Sequence, residues 1–221
     1  MNRIRRFSLL VVLFLLGTQV GAGEERSGRA AVRIYNYAEV DPEVLRRAEA
    51  ETARVFRQAG VELQWIEFDM SGAADKAPVV PSDVPVYNLR LLSKSMAGRL
   101  PRPARKFGIA LQIDAFLFVH RIRDLARDSG FPLPLVLGHI MAHELGHLLL
   151  GENSHSTAGI MSETLRQGEF ERAAMGGLLF ANDEARRMRS RPISSAPPEG
   201  SASAPAGAGY WDAAPAASPL P

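Results

Sequence analysis

Residues 30–192 predict an α+β fold: a single domain with a twisted mixed sheet packed on helices, one of them buried. Three observations carry this. β-Branched and aromatic runs surround a helical stretch near the start. A helix with almost no polar positions lies in the middle. A charged helical stretch closes the domain before a Pro- and Ala-rich end.

"AVRIYNYAEV" has the composition of a strand. "DPEVLRRAEAETARVFRQAG" follows, with Asp41 as N-cap, Pro42 at the first helical position and Gly60 at the close. Val44, Leu45, Ala48, Val55 and Phe56 form its apolar stripe. "VELQWIEF" alternates as a half-buried strand does, and "VPVYNLRLL" reads as another. The basic stretch "SKSMAGRLPRPARKFG" reads as a solvated loop, with one wall of a cleft for acidic peptides as its functional alternative. "IALQIDAFLFVHRIRDLARDSG" is expected to begin as strand and end as helix, with His120 a structural residue beside "FLFV". The buried helix is expected from Leu135 to Leu150, after Pro132 and Pro134 and before Gly151. Residues 166–191 supply the last helical stretch.

The two ends read differently. Residues 1–22 join a positive start, "MNRIRR", to the apolar run "FSLLVVLFLL" and small residues, the layout of a signal peptide. The expected location is therefore exported, periplasmic or secreted, with membrane contact only through that segment if it stays uncleaved. The chain has 26 basic and 24 acidic side chains, and residues 1–22 hold Arg3, Arg5, Arg6 and no acid. Without them the balance is 23 to 24, so the high pI is no sign of nucleic-acid binding. No cysteine occurs, which excludes disulfides and thiolate ligands. Residues 193–221 are dominated by Pro, Ala, Ser and Gly and read as a disordered tail.

The buried helix carries His139, His143, Glu144 and His147. At 100° per residue they lie at about 0°, 40°, 140° and 80°, one arc of the helix. Burying such groups without partners costs about 2–7 kcal/mol each. A metal ion is one economical partner. His143 and His147 are one turn apart, rising about 6 Å, so both imidazoles can converge on one zinc. Glu144 projects beside them and can accept a proton from zinc-activated water, the metallopeptidase reading of H-E-x-x-H. The plain alternative is a buried helix whose histidines bond to backbone carbonyls. His139 is too far along the axis from His147, about 12 Å, to share one ion with it, and is expected to pack.

The stretch "HELGHLLLGENSHSTAGIM", residues 143–161, resembles the metzincin metallopeptidases. In that family H-E-x-x-H-x-x-G-x-x-H precedes a turn with a methionine under the zinc. His143, Glu144 and His147 match its first part. Gly151 resembles the glycine at the helix end, His155 the third ligand and Met161 the turn methionine; "HSTAGIM" is similar to matrixin-type members. The resemblance implies a metzincin-like domain whose buried helix carries the active site. It implies Zn2+ as cofactor, a peptide or protein substrate, and Glu144 as general base. The spacing departs from the pattern: Gly151 comes one residue later, and His155 lies four residues after it rather than three. A gluzincin-type carboxylate from the last helical stretch (Glu169, Glu171, Asp183 or Glu184) is the competing third ligand. A non-catalytic zinc-binding envelope protein is the competing function.

Overall fold

A computed structural model describes residues 28–67, 80–100, 107–151 and 154–190. The expected signal segment and tail lie outside those residues, as does the stretch 101–106 of the basic loop.

A mixed sheet forms one layer, ordered β2-β1-β3-β5-β4. β1 (Gly28–Asn36) pairs in parallel with β2 (Val61–Glu67) and with β3 (Val86–Leu92). β3 pairs in parallel with β5 (Asp114–Phe118), and β4 (Gly108–Leu111) runs antiparallel to β5 at the edge. The period-2 pattern sorts the two faces. Val32 and Ile34 of β1, Leu89 and Leu91 of β3, and Ala115 and Leu117 of β5 are buried in the main core. Ala31, Ile66 and Val84 form a smaller cluster of their own. This is the α+β arrangement expected from the sequence.

Helix α1 (Pro42–Gln58) begins where the sequence places it: Asp41 Oδ1 accepts from the backbone N–H groups of Glu43 and Val44, at 2.9 and 3.1 Å. A positive φ of 74° at Gly60 turns the chain into β2. After β3 a short helix, α2 (Lys94–Ala97), occupies part of the expected loop.

Two stretches differ from expectation. Residues 109–118 form two strands, with a tight turn at Gln112 and Ile113 between β4 and β5, before α3 (Val119–Ser129). Gln112 makes that turn at φ 52° without glycine, so the usual hairpin signal is missing. Residues 166–191 form two helices, α5 (Gln167–Ala174) and α6 (Asn182–Ser190), parted at Gly176 and Gly177. Gly176 has φ 74°, which a continuing helix cannot accommodate.

Helix α4 (Leu133–Leu150) starts two residues earlier than expected, because Pro134 is tolerated in the first turn. It is the hub of the fold. By length and composition it would pass as a membrane span, yet 72% of it is buried inside the domain. It crosses α1 at Gly138, where a Cβ would lie 2.8 Å from the Ala48 carbonyl oxygen and 2.9 Å from Glu51 Cβ. Thr52 Oγ1, fully buried, lies 2.8 Å from the carbonyl oxygen of Ala48 and 2.9 Å from that of Gly138, so its one hydroxyl proton bridges the two helices.

Candidate metal centre

The C-terminal half of α4 meets the loop 154–162. Two contacts fix the imidazoles before any ion is considered. His143 Nδ1 lies 2.7 Å from the Ile160 carbonyl oxygen, which can only accept, so Nδ1 carries the hydrogen and neutral Nε2 presents a lone pair. His147 Nδ1 lies 3.0 Å from Ser154 Oγ. When Nδ1–H donates to that hydroxyl, the second Nε2 also presents a lone pair.

The two Nε2 atoms are 3.1 Å apart. Facing lone pairs at that distance repel unless a proton or a cation lies between them. Tetrahedral ligation with bonds of 2.0–2.1 Å sets two nitrogens roughly 3.3 Å apart. A proton needs no third imidazole; a metal does. His155, exposed on the loop, supplies one: its ring centroid is 4.7 Å from that of His147 and 5.5 Å from that of His143. Ligating atoms of all three residues lie within 4.8 Å of one another. Among the described residues no fourth ligand joins the three imidazoles, and a three-histidine donor set is that of a catalytic rather than a closed structural zinc site. The residues present fit the ion.

The loop's path explains how His155 arrives despite its spacing. α4 runs through Leu150, and Gly151 departs from the helix at φ 97°. Residues 152 and 153 are not described, but the chain beyond them is tied down closely. Ser156 N donates to the Met161 carbonyl at 2.9 Å, and Ser156 and Ser162 form an isolated bridge. Ile160 N donates to the Leu179 carbonyl at 3.0 Å. Gly159 adopts φ 82°, with no room for a Cβ, which would stand 2.8 Å from that same Leu179 oxygen.

Met161 is fully buried against α4. A Cβ on Gly146 would fall 2.5 Å from Met161 Sδ and 2.9 Å from Phe180 Cε1. The glycine inside the histidine motif therefore makes room for the methionine. Glu144 is buried on α4 and faces the edge strand: its carboxyl group lies against Gly108 of β4.

The remaining candidates lie apart from this centre. His139 is fully buried, its Nδ1 donating to the Leu135 carbonyl at 2.9 Å and its Nε2 3.5 Å from Glu51 Oε1 on α1. Burial pushes its imidazole below the ordinary value, against weaker upward pulls from the Leu135 carbonyl and Glu51. His120 stands at the start of α3. Among the rival carboxylates, Glu169 accepts from the Arg166 backbone N–H at 3.0 Å and caps α5. Glu184 does the same for α6 through Ala181 N at 2.7 Å, and Asp183 lies 4.0 Å from Arg187. None of them, nor Glu171, joins the three-histidine group.

Sequence reasoning missed Ser154, the Ile160 carbonyl and Gly108. Serine and glycine are common loop and strand residues, and a backbone carbonyl leaves no trace in sequence.

Fold and site together define an α+β domain with a three-histidine centre on an H-E-x-x-H helix. No protein-family model matches the chain, and no curated protein matches it in sequence. Among solved structures, archaemetzincin from Methanopyrus kandleri is similar at 14% identity and a TM-score of 0.38, over 77% of this chain and 97% of that one.

Proposed function

We propose that the chain is a zinc-dependent metallopeptidase of metzincin type, exported by its N-terminal segment and acting on peptides or proteins in the periplasm or outside the cell. The observation that carries the reading is the convergence of three imidazoles, with no fourth ligand among the described residues, and a buried carboxylate beside the last described strand of the sheet. Matrixin-type kinship rests on "HSTAGIM" alone and adds nothing to that geometry.

His143, His147 and His155 would hold the ion. Zinc supplies Lewis-acid polarisation of a carbonyl oxygen and of water. The chain's own groups do the rest. β4 is the last strand of the sheet among the described residues, and Phe118 N donates to the Phe107 carbonyl at 2.8 Å. Antiparallel alternation then turns the N–H and C=O groups of Ile109 and Leu111 toward β5, and those of Gly108 and Ala110 outward. An extended peptide can pair with that edge, which sets its backbone alongside Glu144. Glu144 takes a proton as water oxygen adds to the carbonyl carbon, and returns it to the amine nitrogen as the C–N bond breaks.

The test is zinc per chain and peptide hydrolysis for residues 24–221, beside the variants Glu144→Gln, His155→Ala and Glu171→Ala. The expected result is one zinc in wild type, Glu144→Gln and Glu171→Ala, and much less in His155→Ala. Hydrolysis should fall by about 10²–10⁴-fold in Glu144→Gln. Zinc lost in Glu171→Ala but kept in His155→Ala would move the site to the gluzincin type. Zinc without hydrolysis of any peptide would leave a non-catalytic binding protein.

A further inference from the structure

β4 carries a glycine at the point where it passes Glu144. A Cβ built on Gly108 would fall 2.6 Å from Glu144 Cδ, 2.6 Å from Oε1 and 2.7 Å from Cγ. No side chain can stand that close to another heavy atom, so the carboxyl group of Glu144 occupies the volume that a residue at 108 would claim. Both inner positions of the strand are small: Gly108 opposite Leu117 and Ala110 opposite Ala115. The larger residues, Ile109 and Leu111, take the other face. A glycine inside a strand weakens it and marks a close approach; here the approaching group is the acid of the histidine motif.

We propose that Gly108 is a positioning residue for Glu144. By lacking a side chain it admits the carboxylate against the backbone of the edge strand, at the residue whose own N–H and C=O face outward to a paired peptide. Base and scissile bond are thereby brought to the same level of the sheet edge. An alanine at 108 displaces the carboxylate rather than the strand, because β4 is held by its ladder with β5 and by the Phe118–Phe107 hydrogen bond, while the atoms in the way are the far end of a glutamate side chain rather than backbone. The kinetic part rests on the peptidase reading; the steric coupling of 108 and 144 does not.

The experiment compares the full chain, loaded with zinc, as wild type, Gly108→Ala, Glu144→Ala and the double variant. Gly108→Ala should keep one zinc per chain and a KM within about threefold of wild type. Its kcat should fall by roughly 100-fold, the penalty for moving a catalytic group by about 1 Å. Its Tm should drop by about 2–4 °C. In the Glu144→Ala background the same substitution should leave Tm unchanged, since the new methyl group enters the vacated space. Wild-type kcat in Gly108→Ala, or an equal loss of Tm in both backgrounds, overturns the proposal. Should Gly108→Ala fail to fold, the double variant folds if Glu144 is the obstacle, and its failure overturns the proposal too. Absence of hydrolysis in wild type defeats the peptidase reading alone and leaves the Tm comparison to decide the role of Gly108.

Discussion

The two ends of α4 carry the same residue type at the same spacing and do different things. His139 faces α1, with one nitrogen on the carbonyl one turn back and the other 3.5 Å from the Glu51 carboxylate. His143 and His147 face the loop 154–162, with their Nδ1 atoms engaged by that loop and their Nε2 atoms turned toward each other. What a histidine does on a buried helix is set by what its second nitrogen meets. Against α1 the helices approach closely at Gly138 and leave the imidazole a place in the packing. Against the loop, Gly146 makes room for a methionine and the two Nε2 atoms come within 3.1 Å of each other.

The largest test of this contrast removes the imidazoles one at a time. His143→Ala or His147→Ala should abolish stoichiometric metal binding, measured as zinc per chain after dialysis. His139→Ala should retain the metal but lose about 2–3 kcal/mol of stability, through the cavity left in the core. Zinc loss in His139→Ala at a temperature where the protein is folded would erase the distinction.

A smaller effect isolates the loop's hold on His147. Ser154→Ala takes away the partner of Nδ1 while leaving all three imidazoles in place. Metal affinity, read by competition with a chelator, should weaken by about 10–100-fold with little change in folding. Ser154→Thr, which keeps a hydroxyl, should recover part of the loss. Affinity unchanged in Ser154→Ala would mean that packing alone orients His147.

The mildest test is pH. Burial holds His139 below its ordinary value in the folded state. The unfolded chain takes up that proton near pH ~6.5. Stability from the neutral imidazole is thus complete above that pH, and is lost as pH falls from there through the lowered folded value. Burial pulls the Glu51 carboxyl upward, but Arg54 and His139 outweigh it and leave it below 4.5, so its contribution is lost only in stronger acid. In metal-free protein, Tm should fall less steeply for His139→Gln than for wild type as pH drops below about 6.5. Parallel slopes would place the acid sensitivity elsewhere.

Much of this was legible in the residues, and the limits have physical causes. Asp41, Pro42 and Gly60 bracket α1 because cap chemistry is local, and the apolar run of α4 announces a buried helix by composition. The pairing of His143 with His147 follows from helical period alone. The β4–β5 hairpin escaped because Gln112 adopts a left-handed conformation that residue preferences do not anticipate. The division between α5 and α6 had a signal in Gly176 and Gly177, outweighed by the helical composition on either side. The site's supporting shell was hidden for another reason: Ser154 and Gly108 matter through position across the fold, which no spacing along the chain encodes.

The edge at β4 has a consequence for how this protein behaves toward its own copies. Among the described residues β4 has no partner on its outer side; such an edge is a template for an extended chain, and Leu111 and Ile113, 51% and 43% exposed, make its hairpin tip adhesive. Its protection is brevity. The strand is four residues long, and only Gly108 and Ala110 turn their backbone groups outward, so two molecules meeting edge to edge share few hydrogen bonds. Under the proposed function, a peptide also held at the metal centre would have a second hold. On the proposed peptidase reading, the short edge would favour peptide substrates over copies of the chain, and lengthening the strand would trade solubility for a firmer grip.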